Sequence, residues 1–95
     1  MKELIHNLKV RRGMYIFDDS YKSLAAFITG YQLAVFENSG ENVSNEFQDW
    51  LREKVGVHFS THWSNYIHTE IANEKDAEAC IALLDLLEDF LEKDI

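Results

Sequence analysis

The stretch from Lys75 to Lys93 constrains this chain more than any other. Ala77, Cys80, Ile81, Leu84, Leu87 and Leu91 recur at three- and four-residue spacing, and Leu83, Leu86 and Phe90 widen the stripe they form. Glu78, Asp85, Glu88, Asp89 and Glu92 fall on the other side. That period belongs to an amphipathic helix, and a stripe so broad has to be covered by several neighbours. The rest of the chain must supply the elements that cover it.

Those elements read as helices. Proline is absent and glycine occurs at four positions, so few breaks are enforced. A first helix is expected over Lys2 to Val10, with Leu4, Ile5 and Leu8 inward. The cations Arg11 and Arg12 followed by Gly13 resemble a helix stop. Met14-Tyr15-Ile16-Phe17 is expected as a turn or extended segment laid on the core, with a short strand as the alternative. A second helix is expected from Tyr21 to Glu37, capped by Ser20, with Leu24, Phe27, Ile28, Tyr31, Ala34 and Val35 on one face. Gly30 would weaken its middle by about 1 kcal/mol relative to alanine, and close approach of another helix would explain it.

Residues 38 to 42 read as a loop. A third helix follows, capped by Ser44 or Asn45, ending near Lys54 before Gly56, with Phe47, Trp50 and Leu51 buried. A fourth is expected after Ser60 or Thr61, with Trp63, Tyr66, Ile67 and Ile71 on one face. The expectation is an all-α, compact bundle of about five helices forming one domain over residues 1 to 95. Its core and any interface draw on the same large side chains: Phe17, Phe27, Phe36, Phe47, Trp50, Phe59, Trp63 and Phe90.

Charge narrows the partners. Seventeen Asp and Glu face nine Lys and Arg, a formal net charge of −8. Nucleic acid and anionic membrane surfaces are disfavoured, because both are bound through cationic contacts. A basic protein partner is favoured, since opposite fields steer encounter. The charge is uneven: residues 1 to 12 carry net +3, which leaves −11 for the remainder. An anionic surface set apart from a basic first helix is what an electrostatic decoy for a nuclease would need. The simpler reading of the same acidity is solubility alone.

Catalytic and metal chemistry find little footing. Cys80 is the single cysteine and lies on the apolar stripe, where a small core residue is expected. It leaves no internal disulfide, and a reducing cytoplasm is the expected compartment. His6, His58, His62 and His68 form no zinc motif. His58 and His62 are four apart, but a cap at Ser60-Thr61 would leave His58 outside the helix. The paired carboxylates Asp18-Asp19 and Glu88-Asp89 have no evident cleft to separate their acidities. No phosphate-cradling glycine loop is present. Neither a catalytic site, a cofactor nor a metal is expected.

Two stretches carry a resemblance. One is Arg11-Arg12-Gly13-Met14-Tyr15-Ile16 followed by Ser23 through Tyr31, with Phe27, Gly30 and Tyr31 as its marks. The other is Asn45-Glu46-Phe47-Gln48-Asp49-Trp50-Leu51 followed by Thr61 through Ile67 around Trp63. Together they resemble the small bacterial immunity proteins of contact-dependent growth inhibition and related polymorphic toxin systems. Arg12 stands where that pattern has proline, so the rigid turn of the pattern is not carried over. The resemblance implies a cytoplasmic protein that binds one cognate toxin domain, often a nuclease, and blocks its active site. The matching residues are expected chiefly to define the fold. The toxin-binding surface is then expected on the acidic side of the last helix, at Glu78, Asp85, Glu88, Asp89 and Glu92. Glu37, Glu41 and Glu46 around the 37–46 loop form the second candidate. A cytoplasmic adaptor or regulatory module is the competing expectation.

Overall fold

The computed structural model describes residues 1–16, 18 and 20–93, and among them there are helices and no strands. Five α-helices follow in order: α1 (Lys2–Arg11), α2 (Tyr21–Ser39), α3 (Val43–Val55), α4 (Trp63–Tyr66) and α5 (Asp76–Leu91). A 3-10 turn, Arg12–Met14, follows α1, and a π-helical turn, Ile67–Ile71, continues α4. The Cα radius of gyration is 12.8 Å, close to the roughly 13 Å of a packed domain this long.

Local chemistry sets the ends of these helices. Ser20 caps α2: its hydroxyl accepts the Ser23 backbone N–H at 3.1 Å, and Asp18 in turn accepts the Ser20 N–H at 3.0 Å. The helix runs past Glu37 to Ser39 because Asn38 and Ser39 donate back to the carbonyls of Ala34 and Val35, at 2.8 and 2.7 Å. Gly40, with φ +77°, then ends it in a left-handed cap. Asn42, rather than Ser44 or Asn45, caps α3, through its side-chain oxygen and the Asn45 N–H at 3.1 Å. The Ser44 hydroxyl is used elsewhere, accepting the Trp63 indole N–H at 3.3 Å. Gly56, φ +72°, closes α3 as expected.

One core runs through the bundle. α5 feeds it Ala79, Cys80, Leu83, Leu84, Leu87 and Phe90; α1 adds Ile5 and Leu8; α2 adds Tyr21, Leu24, Ala25 and Ile28. Phe47 is its aromatic hub. Its ring meets Trp63 edge-on at 5.3 Å and Phe90 at 5.4 Å, and stacks on Trp50 at 5.8 Å. A second stack, Phe59 on Tyr66 at 4.0 Å, seals the α3–α4 connection. Cys80 is buried in the core, as its place on the stripe implied.

Several sequence expectations need correction. The α5 stripe sits to one side of the expected line: Ala77 is exposed and Ile81 is 61% exposed beside Lys9 and Arg12. Ala79, which was not placed on the stripe, is fully buried. Helical spacing alone cannot say which edge of a wide stripe the neighbours cover. α1 does end at Arg11, as the stop implied, and the chain there tightens into the 3-10 turn with Arg12 still right-handed. Met14, 75% exposed, and Tyr15 do not lie on the core, whereas Ile16 packs against it. Phe17 lies outside the described residues.

Gly30 admits no close helix. It is exposed, and a methyl group there would touch nothing within 4 Å. Ala34, expected on the inward face of α2, is exposed. In the fourth segment the π-helical turn inserts one residue into the period, shown by the Ala72 N–H bonding to the Ile67 carbonyl at 3.0 Å. That rotates Ile71 outward, to 37% exposed, and buries Ala72.

The aromatic hub and the α5 flank give a paired expectation. Phe47→Ala should cost about 3–5 kcal/mol of unfolding free energy. Ile81→Ala, on the exposed flank, should stay within about 0.5 kcal/mol. Urea denaturation followed by tryptophan fluorescence measures both, and equal losses would contradict the placement of the stripe.

Candidate protein-binding surface

The acidic residues singled out by sequence divide into two sets. On the α1 side of α5, Lys9 Nζ lies 2.8 Å from Asp85 and 3.3 Å from Glu88. The ammonium is held above its ordinary pKa, chiefly by its hydrogen bond to Asp85. Lys54 reaches Asp89 at 3.8 Å, and Lys75 reaches Glu78 at 4.0 Å. The basic first helix is therefore not set apart from the acidic last one; it packs on it and answers two of its carboxylates. That corrects the expectation of separated charge. The reason is spatial: Leu8 and Ile5 need the α5 core face, and burying them carries Lys9 alongside Asp85. Exposed pairs of this kind contribute roughly 0–1 kcal/mol each.

The second set is different. Glu37, Glu41, Glu46 and Glu92 are exposed and form no ion pair among the described residues. Glu41 and Glu46 line a groove of about 420 Å³ where α2, the start of α3 and the end of α5 meet. Glu37 and Glu92 follow lining residues in sequence but do not themselves line the groove. Thus the structure brings the 37–46 loop and the C-terminal end of α5 to one end of the bundle. It places Glu78, Asp85 and Glu88 elsewhere.

Sequence reasoning missed Gln32, which also lines this groove. It is 1% exposed, and neither its carboxamide nitrogen nor its oxygen has a hydrogen-bond partner among the described residues. A buried polar group left so costs about 1–3 kcal/mol. The signal for it was present. Tyr21, Leu24, Ala25 and Ile28 step inward along α2, and the next position on that line, four residues after Ile28, is Gln32.

A larger groove, about 660 Å³, lies between α2 and the α4–π segment and is lined by Tyr21, Gly30, Ser64, His68 and Asp76 among others. Its polar groups are turned on one another. The Tyr21 hydroxyl donates to the Ser64 carbonyl at 2.8 Å, and the ring stacks on the His68 imidazole at 5.2 Å. Burial holds the phenol proton well above its ordinary pKa. Asp76 accepts the Tyr21 backbone N–H at 3.2 Å and lies 2.9 Å from His68 Nε2. The His68 side chain, and then the Tyr21 N–H, hold the Asp76 carboxyl below its ordinary range. This constellation ties the starts of α2 and α5 to the π turn, which makes it a structural brace.

His62 has a structural task too. Its Nδ1 accepts the Ser64 N–H at 3.2 Å, so His62, rather than Ser60 or Thr61, caps α4. Burial lowers its pKa. Gln48 clamps the same turn, donating to the Thr61 carbonyl and accepting the Trp63 N–H, each at 2.8 Å. His58 lies outside the helix, as the reading of the cap implied. Asp18 serves the α2 cap, and its neighbour Asp19 lies outside the described residues. Among the described residues no three His, Cys, Asp or Glu side chains are placed to hold a metal ion, and no helix is long and apolar enough to cross a membrane. The chain matches no protein-family model, no curated protein and no solved structure.

The brace has a pH signature. Because the folded-state pKa of Asp76 is depressed, its stabilisation is in place above about pH 4 and is lost as the pH falls below that value. Asp76→Asn should therefore be less stable than the parent at neutral pH, and the gap should close in acid. Urea midpoints measured from pH 7 down to pH 2 check this; a gap independent of pH would contradict it.

Proposed function

We propose that this chain is an immunity protein of the contact-dependent growth inhibition type. It binds one basic toxin domain, an RNase-type nuclease, and neutralises it by covering the active site. Carboxylates displayed on a rigid scaffold stand in for the phosphates of the toxin's substrate. The observation that supports the reading is the pair Glu41 and Glu46, which form no ion pair among the described residues, on the wall of one groove.

The fold is consistent with that role. Residues that carried the family resemblance, Phe47, Trp63 and in part Trp50 and Phe27, hold the core together. This leaves the surface free to be shaped by the partner. The formal charge of −8 favours encounter with a cationic protein and disfavours direct nucleic-acid binding. The interface is best placed at the groove end, because Asp85 and Glu88 already have Lys9 as a local counter-charge. Asp89, answered by Lys54, lies on its flank.

The test is binding and protection with the toxin domain encoded beside this chain's gene. Glu41→Lys, Glu46→Lys and Glu92→Lys combined should weaken the complex by roughly two orders of magnitude, mostly through a slower association that salt also slows. The pair Asp85→Lys and Glu88→Lys should weaken it far less. Calorimetry at low and high salt, with growth of toxin-expressing cells, reads both. Full affinity in the triple variant would contradict this interface, and failure to protect from any adjacent toxin would contradict the function.

A further inference from the structure

The acid-rimmed groove also indicates what enters it, through Gln32. A carboxamide presents an N–H donor and a carbonyl acceptor side by side in one plane. Both are buried here, both lack partners among the described residues, and Gln32 lies in the lining of the groove, directly beneath its surface. A bare cation would satisfy the oxygen and leave the NH₂ unanswered. An anion would satisfy the NH₂ and meet the carboxylates of Glu41 and Glu46. The peptide unit of an extended chain satisfies both, since its C=O and N–H offer the reciprocal acceptor and donor.

The remaining walls choose the side chain that accompanies that peptide unit. Val35 and Phe90 are apolar and suit an aliphatic stem, and Glu41 and Glu46, in no ion pair among the described residues, suit a cationic head. Lys93, whose ammonium lies 4.3 Å from the centre of the Phe90 ring, also lines the groove. A volume of about 420 Å³ lies within the usual range of ligand sites, about 300–1,000 Å³.

We propose that this groove takes one arginine or lysine side chain from an extended segment of the partner protein. The cationic head sits between Glu41 and Glu46, and the adjoining peptide unit hydrogen-bonds to the Gln32 carboxamide. The inference rests on the protein-binding reading above and narrows it to one anchoring residue.

Titration of the full chain, labelled with ¹⁵N, by a blocked acetyl-Ala-Arg-Ala-amide peptide tests this without any toxin. Saturable shifts are expected at the Gln32 side-chain NH₂ signals and at the backbone signals of Glu41, Val43 and Glu46. The same peptide with neutral citrulline, or with glutamate, in place of arginine should bind about tenfold more weakly or not at all. Gln32→Met should weaken the arginine peptide about tenfold while raising Tm by several degrees, because it removes a buried polar group that nothing in the free chain satisfies. Glu41→Gln with Glu46→Gln, both on the surface, should weaken it as much without moving Tm. Unmoved Gln32 signals at saturating peptide would overturn the proposal. So would equal binding of the glutamate peptide, or a tightly held water found on Gln32 in place of the peptide. Because only this chain and a synthetic peptide are involved, such a failure leaves toxin neutralisation standing, and a failed protection assay leaves the peptide result standing.

Discussion

Burial of the apolar face of α5 is the interaction on which the rest of the molecule depends. α1, α2, α3 and the π turn each contribute buried apolar side chains to the core it forms. The consequences reach the surface. Packing Ile5 and Leu8 against α5 carries Lys9 onto Asp85 and Glu88, so the middle of the acidic helix is answered from within the chain. Farther along, Phe90 turns inward to Phe47 and Trp50, and the last turn of α5 is thereby held beside the start of α3. That contact creates the groove in which Glu41, Glu46 and Gln32 meet.

Much of this architecture was legible in the residues. The period of α5, the Ser20 cap, the Gly56 stop and the burial of Cys80 are local facts of spacing and capping chemistry, and each is found in the fold. What was not legible depended on neighbours distant in sequence. Which flank of the α5 stripe faces out depends on α1, so Ile81 was misplaced. Ser44 was unavailable as a cap because the Trp63 indole claims it across 19 residues. The π turn that buries Ala72 in place of Ile71 has no signature in simple three-to-four spacing. Gly30 invited a packing explanation, and the space beside it is open.

The candidate surface was half legible. Composition named the carboxylates, and counting them along the chain could not tell answered from unanswered ones. Tertiary structure makes that distinction, because a lysine 76 residues away in sequence lies against Asp85. Gln32 illustrates the converse. Its position on the α2 stripe was readable, and its significance came only from the lack of a partner for its carboxamide among the described residues. A polar group placed in a core position and left unsatisfied lowers stability, and such costs concentrate where a protein meets a ligand. The brace around Asp76, whose polar groups are matched internally, shows the opposite pattern in the larger groove.

The central claim is that this protein acts by docking its acidic, groove-bearing end on a basic protein. Amide hydrogen exchange of this chain, free and with a cationic toxin domain encoded by a neighbouring gene where one is found, addresses that claim directly. The account predicts slowed exchange in residues 31–46 and 90–93, with little change around the Tyr21–His68–Asp76 brace. Protection confined to the brace, or no change anywhere at concentrations that saturate the toxin, would contradict it.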